Sequence, residues 1–272
     1  MDTRLCSQGL TTDLRPVPRA DLPREMSMHA TRMTGQDRNS IPRPPLPTHP
    51  NIAERLMLIS SSPLFANLSE RECLEIASCA RARTFTRNEP LFSQGQPMRE
   101  LILLQSGNVK HTQVSSNGNE VLLRFSRTGD VVNLQGESAC THTCSARATE
   151  ACKALIWEFS RIQGFFALYP EMRGNISTLL AAQLKELEER FREVATEKVS
   201  KRLALVLLRL LKQIGKPSNE GIEISLSREE MAQMTGATVF TISRVLSGWS
   251  EKGFVVSRRE AVIITDPSQL EA

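Results

Sequence analysis

An arginine near the C-terminus occupies an early position in a segment with the pattern of a short helix. Thr238 is a residue type that caps helices, and Ile242, Val245 and Leu246 would form the apolar side of the helix that follows. Arg244 lies in the same helix, where its guanidinium could donate two hydrogen bonds to O6 and N7 of guanine. If this helix enters the major groove of DNA, Arg244 is the residue predicted to read a base; the alternative is a surface arginine or a phosphate contact.

The neighbours of Arg244 extend this prediction. Ser243 could reach a base edge or a phosphate, although a hydroxyl discriminates poorly between bases. Phe240 cannot accept a hydrogen bond from cytosine, but its ring can pack on a thymine methyl. The residues expected at the DNA are Arg244, Ser243, Phe240, Val239, Thr238 and Arg228, with Lys252, Arg258 and Arg259 as further phosphate neighbours.

A second chemically equipped segment is Cys140-Thr141-His142-Thr143-Cys144. Cysteine and histidine at alternate positions could supply ligands to zinc, copper or heme iron, which makes Cys140, His142 and Cys144 candidate metal or heme ligands. The alternative is an ordinary loop whose side chains bind nothing, with other cysteines buried as small hydrophobic residues. The sequence leaves both interpretations open.

Two short helices and a glycine turn must position Arg244. Ser227 and Glu230 have the spacing of a capping box, which predicts the start of the first helix. Gly236 supplies the tight turn between the two helices. Residues 253–257 and 261–265 are short apolar runs that predict a two-stranded wing. This order of elements is a winged helix-turn-helix.

A longer helix is predicted before this unit. It would run from about residue 171 to 198, roughly 40 Å at 1.5 Å per residue, and a second helix over 199–214 would follow. Apolar residues repeat along the first helix at the alternating spacing of a coiled coil: Leu180, Leu184, Leu187, Phe191 and Val194. Charged residues surround this stripe, which favours a dimer interface over a helix that packs only on its own domain.

The chain between residues 85 and 159 changes to short apolar runs separated by turn residues such as Asn117-Gly118 and Gly129-Asp130. This pattern predicts an antiparallel β-roll. Residues 1–50 hold eight of the 14 prolines and are expected to be a disordered or extended tail. The predicted α+β organisation is a tail over 1–50, a roll over 51–170, a dimerisation helix over 171–198 and a winged helix-turn-helix over 199–272.

This order of parts resembles the CRP/FNR family of bacterial transcription regulators. The resemblance rests on Leu104-Gln105-Ser106-Gly107-Asn108-Val109 and Gly129-Asp130 in the roll, and on Thr241-Ile242-Ser243-Arg244, which is similar to the recognition helix of the FNR branch. It implies a double-stranded β-helix sensor domain and a homodimer on a palindromic DNA operator, with RNA polymerase as a further partner. Phe240 stands where the family usually has glutamate, so we expect an altered preference at the neighbouring base.

The resemblance also bears on what the roll senses. Members that bind cyclic nucleotides hold the ribose with a glutamate and the phosphate with an arginine, and Glu137 and Arg147 resemble that pair. Ungapped counting instead places Leu134 at the glutamate position and His142-Thr143 at the arginine position. Because phosphate recognition needs a fixed cation, the shifted register argues against a cyclic nucleotide. Glu137, Arg147, His142 and Thr143 stay candidate effector residues, and heme, a metal or a small molecule stays open as the effector.

Composition excludes other classes of protein. The 272 residues are 40% hydrophobic and 24% charged, as expected for a globular protein, and the net charge of +4 does not by itself indicate nucleic-acid binding. We find neither an apolar window of membrane-spanning length nor a signal peptide, so a cytoplasmic protein is expected. The four histidines form no convincing catalytic triad, and no P-loop or dinucleotide motif is present, so an enzyme is not expected. The alternative function is an effector-binding module that acts through protein partners.

Overall fold

The computed structural model describes residues 51–134 and 141–271, which belong to one compact unit. The predictions for the tail 1–50, Glu137 and Cys140 lie outside the described residues. The helices are α1 Ile52–Ser61, α2 Glu70–Ser78, α3 Phe159–Leu168, α4 Pro170–Thr196, α5 Val199–Ile214, α6 Arg228–Thr235, α7 Val239–Glu251 and α8 Ser268–Glu271. No helix in this part of the chain is both long and apolar enough to cross a membrane.

Seven strands form the predicted antiparallel roll: β1 Arg81–Phe85, β2 Pro90–Phe92, β3 Glu100–Ser106, β4 Val109–Val114, β5 Glu120–Ser126, β6 Ser145–Ala148 and β7 Cys152–Glu158. They make two sheets, one in the order β1-β7-β3 and the other in the order β2-β6-β4-β5. The apolar core of the roll contains side chains from both sheets, such as Phe85, Leu104, Val109 and Ile156. The expected α+β class and the roll are therefore confirmed.

One apolar run of the roll does not form the strand that its sequence suggested. After the turn at Gly129-Asp130, Val131 forms a single β-bridge with Leu103, and Val132 donates one backbone hydrogen bond to Ile102 O at 2.8 Å. The backbone pairing ends there. Ile102 N donates instead to the side-chain Oδ1 of Asn133, at 3.0 Å.

Helices cover the outer face of the three-stranded sheet. The predicted capping box at the start of α2 is confirmed, since Ser69 N donates to Glu72 Oε2 at 2.8 Å and Glu72 N donates to Ser69 Oγ at 3.4 Å. The indole of Trp157 is buried under this helix and donates to Ile76 O at 2.9 Å. The start of α4 joins the same core through Met172. The long helix is thereby anchored to the roll at its N-terminal end.

The C-terminal unit contains α5 to α8 and a four-stranded sheet in the order β10-β11-β9-β8. Its strands are β8 Lys216–Ser218, β9 Gly221–Ile224, β10 Val255–Ser257 and β11 Val262–Ile264. The last two strands are the predicted wing, whereas β8 and β9 were not predicted because they are very short and β8 contains Pro217. Their addition extends the wing into a sheet that packs on α5.

Candidate nucleic-acid interface and sensor cavity

The helix-turn-helix is held in place by local hydrogen bonds that the sequence predicts. Ser227 N donates to Glu230 Oε2 at 2.9 Å and Glu230 N donates to Ser227 Oγ at 3.2 Å, which confirms the capping box. Gly236 ends α6 with a φ of 62°, a left-handed conformation that favours glycine. Thr238 then caps α7, because its Oγ1 accepts from Thr241 N at 3.2 Å.

The face of α7 that carries the predicted DNA-reading residues is free. Ile242 and Leu246 are buried in the core of the unit, while Val239 and Arg244 are exposed and the Phe240 side chain is 71% exposed. The guanidinium carbon of Arg244 lies 5.8 Å from the centroid of the Phe240 ring. A cation–π interaction at an exposed site is worth about 0.5–1 kcal/mol, so it favours a position of the guanidinium near the ring without fixing it there. Ser243, half-buried, lies between these residues in sequence.

The candidate phosphate neighbours differ in whether other protein groups already engage their side chains. Arg228 is half-buried and donates to Ser257 Oγ at 3.1 Å, and its Nε is buried without a partner among the described residues. Arg258 pairs with Glu220 at 2.7 Å and with Glu223 at 3.4 Å, so its charge is already compensated. Lys252 and Arg259 are exposed. The geometry therefore favours Lys252 and Arg259 over Arg258 as phosphate contacts.

The apolar stripe of α4 lies mostly on the surface. Leu180 is half-buried against the roll, but Leu184, Leu187, Phe191 and Val194 are exposed, with Phe191 at 74%. A row of large exposed apolar side chains on one helix face marks an interaction surface. The structure describes one chain, so the dimer interface itself stays a prediction.

A cavity of about 460 Å³ lies between the roll and the middle of α4. Its size is typical of small-molecule sites. Apolar side chains make up most of its walls, among them Phe92, Leu123, Val132, Leu134, Leu184 and Leu187. Of the candidate effector residues, Thr143 borders the cavity but Arg147 and His142 do not. Arg147, which lies on β6, instead donates a hydrogen bond from its guanidinium to Asn88 O at 2.6 Å.

The described candidate metal ligands lie in two different environments. The His142 ring stacks on Phe92 with 3.8 Å between the ring centroids, and burial lowers the pKa of His142. The thiol of Cys144 lies 3.8 Å from Nδ1 of the buried His111, whose Nε2 is 2.9 Å from Ser126 Oγ. Residues 51–134 and 141–271 contain no group of three His, Cys, Asp or Glu side chains that could hold a metal ion. The metal and heme hypothesis depends on Cys140, which lies outside this part of the chain.

Contacts between the roll and the C-terminal unit were not predicted. Leu122 and Phe125 of β5 pack into the core of the helix-turn-helix unit. Lys110 on β4 pairs with Glu230 on α6 at 2.6 Å. No sequence pattern signals these contacts, because they join residues far apart in the chain: Lys110 and Glu230 are 120 positions apart. They tie the sensor domain directly to the first helix of the helix-turn-helix.

The chain matches two family models, a cyclic nucleotide-binding domain over residues 82–169 and a Crp-like helix-turn-helix domain over residues 201–272. Both the roll and the DNA-reading unit are therefore represented. The comparisons offer no support for the alternative of a module that acts only through protein partners.

Individual relatives agree with this match. The chain is 24% identical to Electron transport regulator A of Shewanella oneidensis over 192 residues, covering 70% of this chain and 77% of that protein. It is 25% identical to Transcriptional activator protein Anr of Pseudomonas protegens over 211 residues, covering 76% and 86%. The structure of FixK2 from Bradyrhizobium japonicum is similar with a TM-score of 0.62 at 19% identity, over 71% of this chain and 96% of that one, which shows a shared fold.

Proposed function

Because this chain belongs to the CRP/FNR family of transcription regulators, which bind DNA as dimers, we propose that it reads a palindromic operator through α7 under the control of an effector bound by its roll. It acts by binding and not by catalysis. The single observation that carries the proposal is the exposed face of α7, where Arg244 and Phe240 lie together above a buried apolar side.

The chemistry of this face suggests what it reads. The Arg244 guanidinium suits guanine, whose O6 and N7 both accept hydrogen bonds in the major groove. The Phe240 ring offers only apolar contact, which suits a thymine methyl and leaves a cytosine amino group unpaired. The proposed half-site therefore keeps a guanine and departs from the usual family preference at the adjacent position.

The two-fold symmetry of a dimer accounts for the palindromic operator. We assign the interface to Leu180, Leu184, Leu187, Phe191 and Val194 of α4, because this stripe is the large apolar surface that one chain leaves exposed along the helix. Two copies related by a two-fold axis present two α7 helices, so half-sites lie about one or two helical turns of DNA apart.

The junction between α4 and α5 is the proposed element of coupling. α4 ends at Thr196, and Glu197 is extended with a ψ of 150° before α5 begins at Val199. Across this break, both oxygens of the Glu193 carboxylate accept from Arg209, at 2.6 and 2.8 Å. An effector in the roll changes DNA binding only if it binds the DNA-competent arrangement of this junction better than the other.

Selection of duplexes from random DNA tests the proposal, with wild type and Phe240→Glu compared in parallel. Wild type is expected to select a two-fold symmetric site that contains guanine in each half, and its affinity should fall steeply as salt rises. Phe240→Glu is expected to shift the adjacent position toward cytosine. Failure of wild type to enrich any sequence would contradict the proposed function, and an unchanged site in the variant would contradict the role of Phe240.

Two finer points belong to the same proposal. A dimer bound at a promoter in the cytoplasm is placed to contact RNA polymerase, which we assign as its protein partner. Transcription with purified polymerase on a template that carries the selected site checks this. The transcript level should depend on the regulator only when the site is present.

A further inference from the structure

The cavity between the roll and α4 contains charged groups within largely apolar walls. Arg124 of β5 and Arg190 of α4 bring two guanidinium groups to it, and Glu186 of α4 brings one carboxylate. Among the described residues that line the cavity, two guanidinium groups thus accompany one carboxylate, and the carboxylate of Asp130, outside this lining, also attracts Arg124. A guanidinium next to apolar side chains is costly unless its N–H groups find acceptors.

Arg124 is the less satisfied of the two arginines. Among the residues that the structure describes, its guanidinium donates one hydrogen bond, to Val132 O at 3.4 Å. A guanidinium has five N–H donors, so most of them have no protein acceptor. Burial lowers the pKa of Arg124, while Cys144, Asp130 and Glu186 act in the opposite direction without hydrogen bonding to it. Arginine keeps its charge in proteins, so this donor set stays available to an anion.

Arg190 forms an ion pair with Glu186, whose carboxylate borders the cavity. Its Nη2 donates to Glu186 Oε1 at 2.5 Å, and its Nη1 donates to Leu123 O. The Nε of Arg190 is buried and has no partner in the part of the chain that the structure describes. Glu186 is therefore engaged with Arg190, whereas most N–H groups of Arg124 have no acceptor among residues 51–134 and 141–271.

We propose that this cavity binds an organic monoanion with an apolar body, such as an alkyl or aryl carboxylate, with the anionic group at Arg124. A carboxylate accepts two hydrogen bonds from a guanidinium, so it would supply acceptors that Arg124 lacks among the described residues. The apolar body fits walls such as Phe92, Val132 and Leu134. The proposal rests on the proposed function, because it names the class of effector that the roll senses.

The position of the cavity connects such a ligand to dimerisation. Leu184 and Leu187 line the cavity and also belong to the exposed stripe of α4. A ligand body that packs on these two side chains would change the surface that α4 presents to a second copy. Arg124 would then be the specificity-determining residue of the cavity.

Two fluorescent dyes with the same rings test the proposal on the full-length protein. 1-Anilinonaphthalene-8-sulfonate is a monoanion with an aromatic body, and N-phenyl-1-naphthylamine lacks its sulfonate. Wild type should bind the anionic dye more tightly than the neutral dye. Arg124→Met should weaken binding of the anionic dye about tenfold or more, which is the effect of losing a charge-assisted hydrogen bond. Arg192→Met is the matched control, because Arg192 is exposed on α4 and does not border the cavity.

Competition identifies the class of ligand without any variant. Dodecanoate should displace the anionic dye from wild type, whereas dodecanol and cyclic AMP should not. The proposal is overturned if the two dyes bind wild type equally, if dodecanol or cyclic AMP competes better than dodecanoate, or if a folded Arg124→Met binds the anionic dye as wild type does. Should Arg124→Met fail to fold, the comparisons on wild type still decide.

These measurements need no DNA, so they are separate from the test of the proposed function. Salt-dependent binding to the selected duplex is measured on the same protein samples. Duplex binding with no preference for the anionic dye would contradict the monoanion site alone. Dye binding at Arg124 with no duplex binding would contradict the proposed function alone.

Discussion

The ammonium of Lys110 lies 2.6 Å from Oε1 of Glu230, which joins strand β4 of the roll to the first helix of the helix-turn-helix. Both side chains are about three-quarters buried, with exposed fractions of 25% and 22%. Burial raises the pKa of Glu230, but hydrogen bonds from Lys110 and Ser227 outweigh it, so the pKa is lowered overall. Glu230 is thus an ion-pair partner of the sensor domain as well as part of the α6 capping box.

The first prediction concerns the strength of this contact. A double-mutant cycle with Lys110→Met and Glu230→Gln should give a coupling free energy of about 1–2 kcal/mol, because the pair is largely removed from water. The cycle subtracts the separate effect of Glu230 on the helix cap. Urea unfolding monitored by circular dichroism measures it.

A second ion pair provides the control. Lys216 and Glu150 are also 2.6 Å apart, but the Lys216 side chain is 58% exposed. Solvent screening should reduce its coupling below about 1 kcal/mol. Equal coupling free energies in the two pairs would show that burial does not strengthen the Lys110–Glu230 ion pair.

The second prediction concerns the junction between α4 and α5. Arg209→Met leaves the Glu193 carboxylate buried and without its bidentate partner. We expect a loss of about 3 kcal/mol in the free energy of unfolding, the usual effect of removing one member of a buried pair. Arg192→Met, one position from Glu193 but exposed, should change it by less than about 0.5 kcal/mol. Similar losses in both variants would show that the Glu193–Arg209 pair does not specifically stabilise this junction.

The third prediction concerns the stripe of α4. Phe191→Glu places a charge at the most exposed large apolar side chain of the stripe, so it should convert a dimer into a monomer. Sedimentation equilibrium measures the mass in solution. Arg192→Glu adds a carboxylate at the next position, outside the stripe, and should leave the dimer intact. A dimeric Phe191→Glu protein would locate the interface elsewhere.

The fourth prediction concerns pH. Burial, aided by the charge of Arg124, holds the pKa of His111 well below its usual value of 6.5. The folded protein therefore keeps His111 neutral, while the unfolded chain takes up a proton as the pH falls through about 6.5. Because the unfolded state then binds one proton more, the free energy of unfolding should decrease by about 1.4 kcal/mol for each pH unit below that point.

Replacement of His111 tests the assignment. His142 is also buried with a lowered pKa, so His111→Gln should reduce the slope of unfolding free energy against pH and not abolish it. Thermal or urea unfolding across about pH 5–7 gives the slope in each protein. Parallel slopes in wild type and variant would show that His111 is not the titrating group.

Much of the DNA-reading unit could be predicted from the sequence, because its geometry depends on local interactions. The capping residues Ser227, Glu230 and Thr238 bond within three positions of themselves, and Gly236 sets the turn by its own backbone conformation. Such signals are contained in a few consecutive residues. The starts of the two helices and the turn between them, which position Arg244, were therefore predicted at the correct residues.

The interior of the roll and its contacts could not be predicted in the same way. Lys110 and Glu230 are 120 positions apart, and Arg124 lies near α4 only in the tertiary structure. Alternation of Cys and His in sequence suggested one ligand set, yet the fold stacks His142 on Phe92 and turns Cys144 toward His111. Tertiary packing decides these relationships, and single-sequence patterns do not encode it.

The most direct test of the account is the affinity of wild type and Arg244→Ala for the selected duplex, measured by fluorescence anisotropy with a scrambled duplex as reference. Wild type should prefer the selected duplex, and Arg244→Ala should lose about 1–3 kcal/mol of that preference at each half-site while binding the scrambled duplex as before. If Arg244→Ala retains the full preference for the selected duplex, Arg244 does not read a base and the account is contradicted.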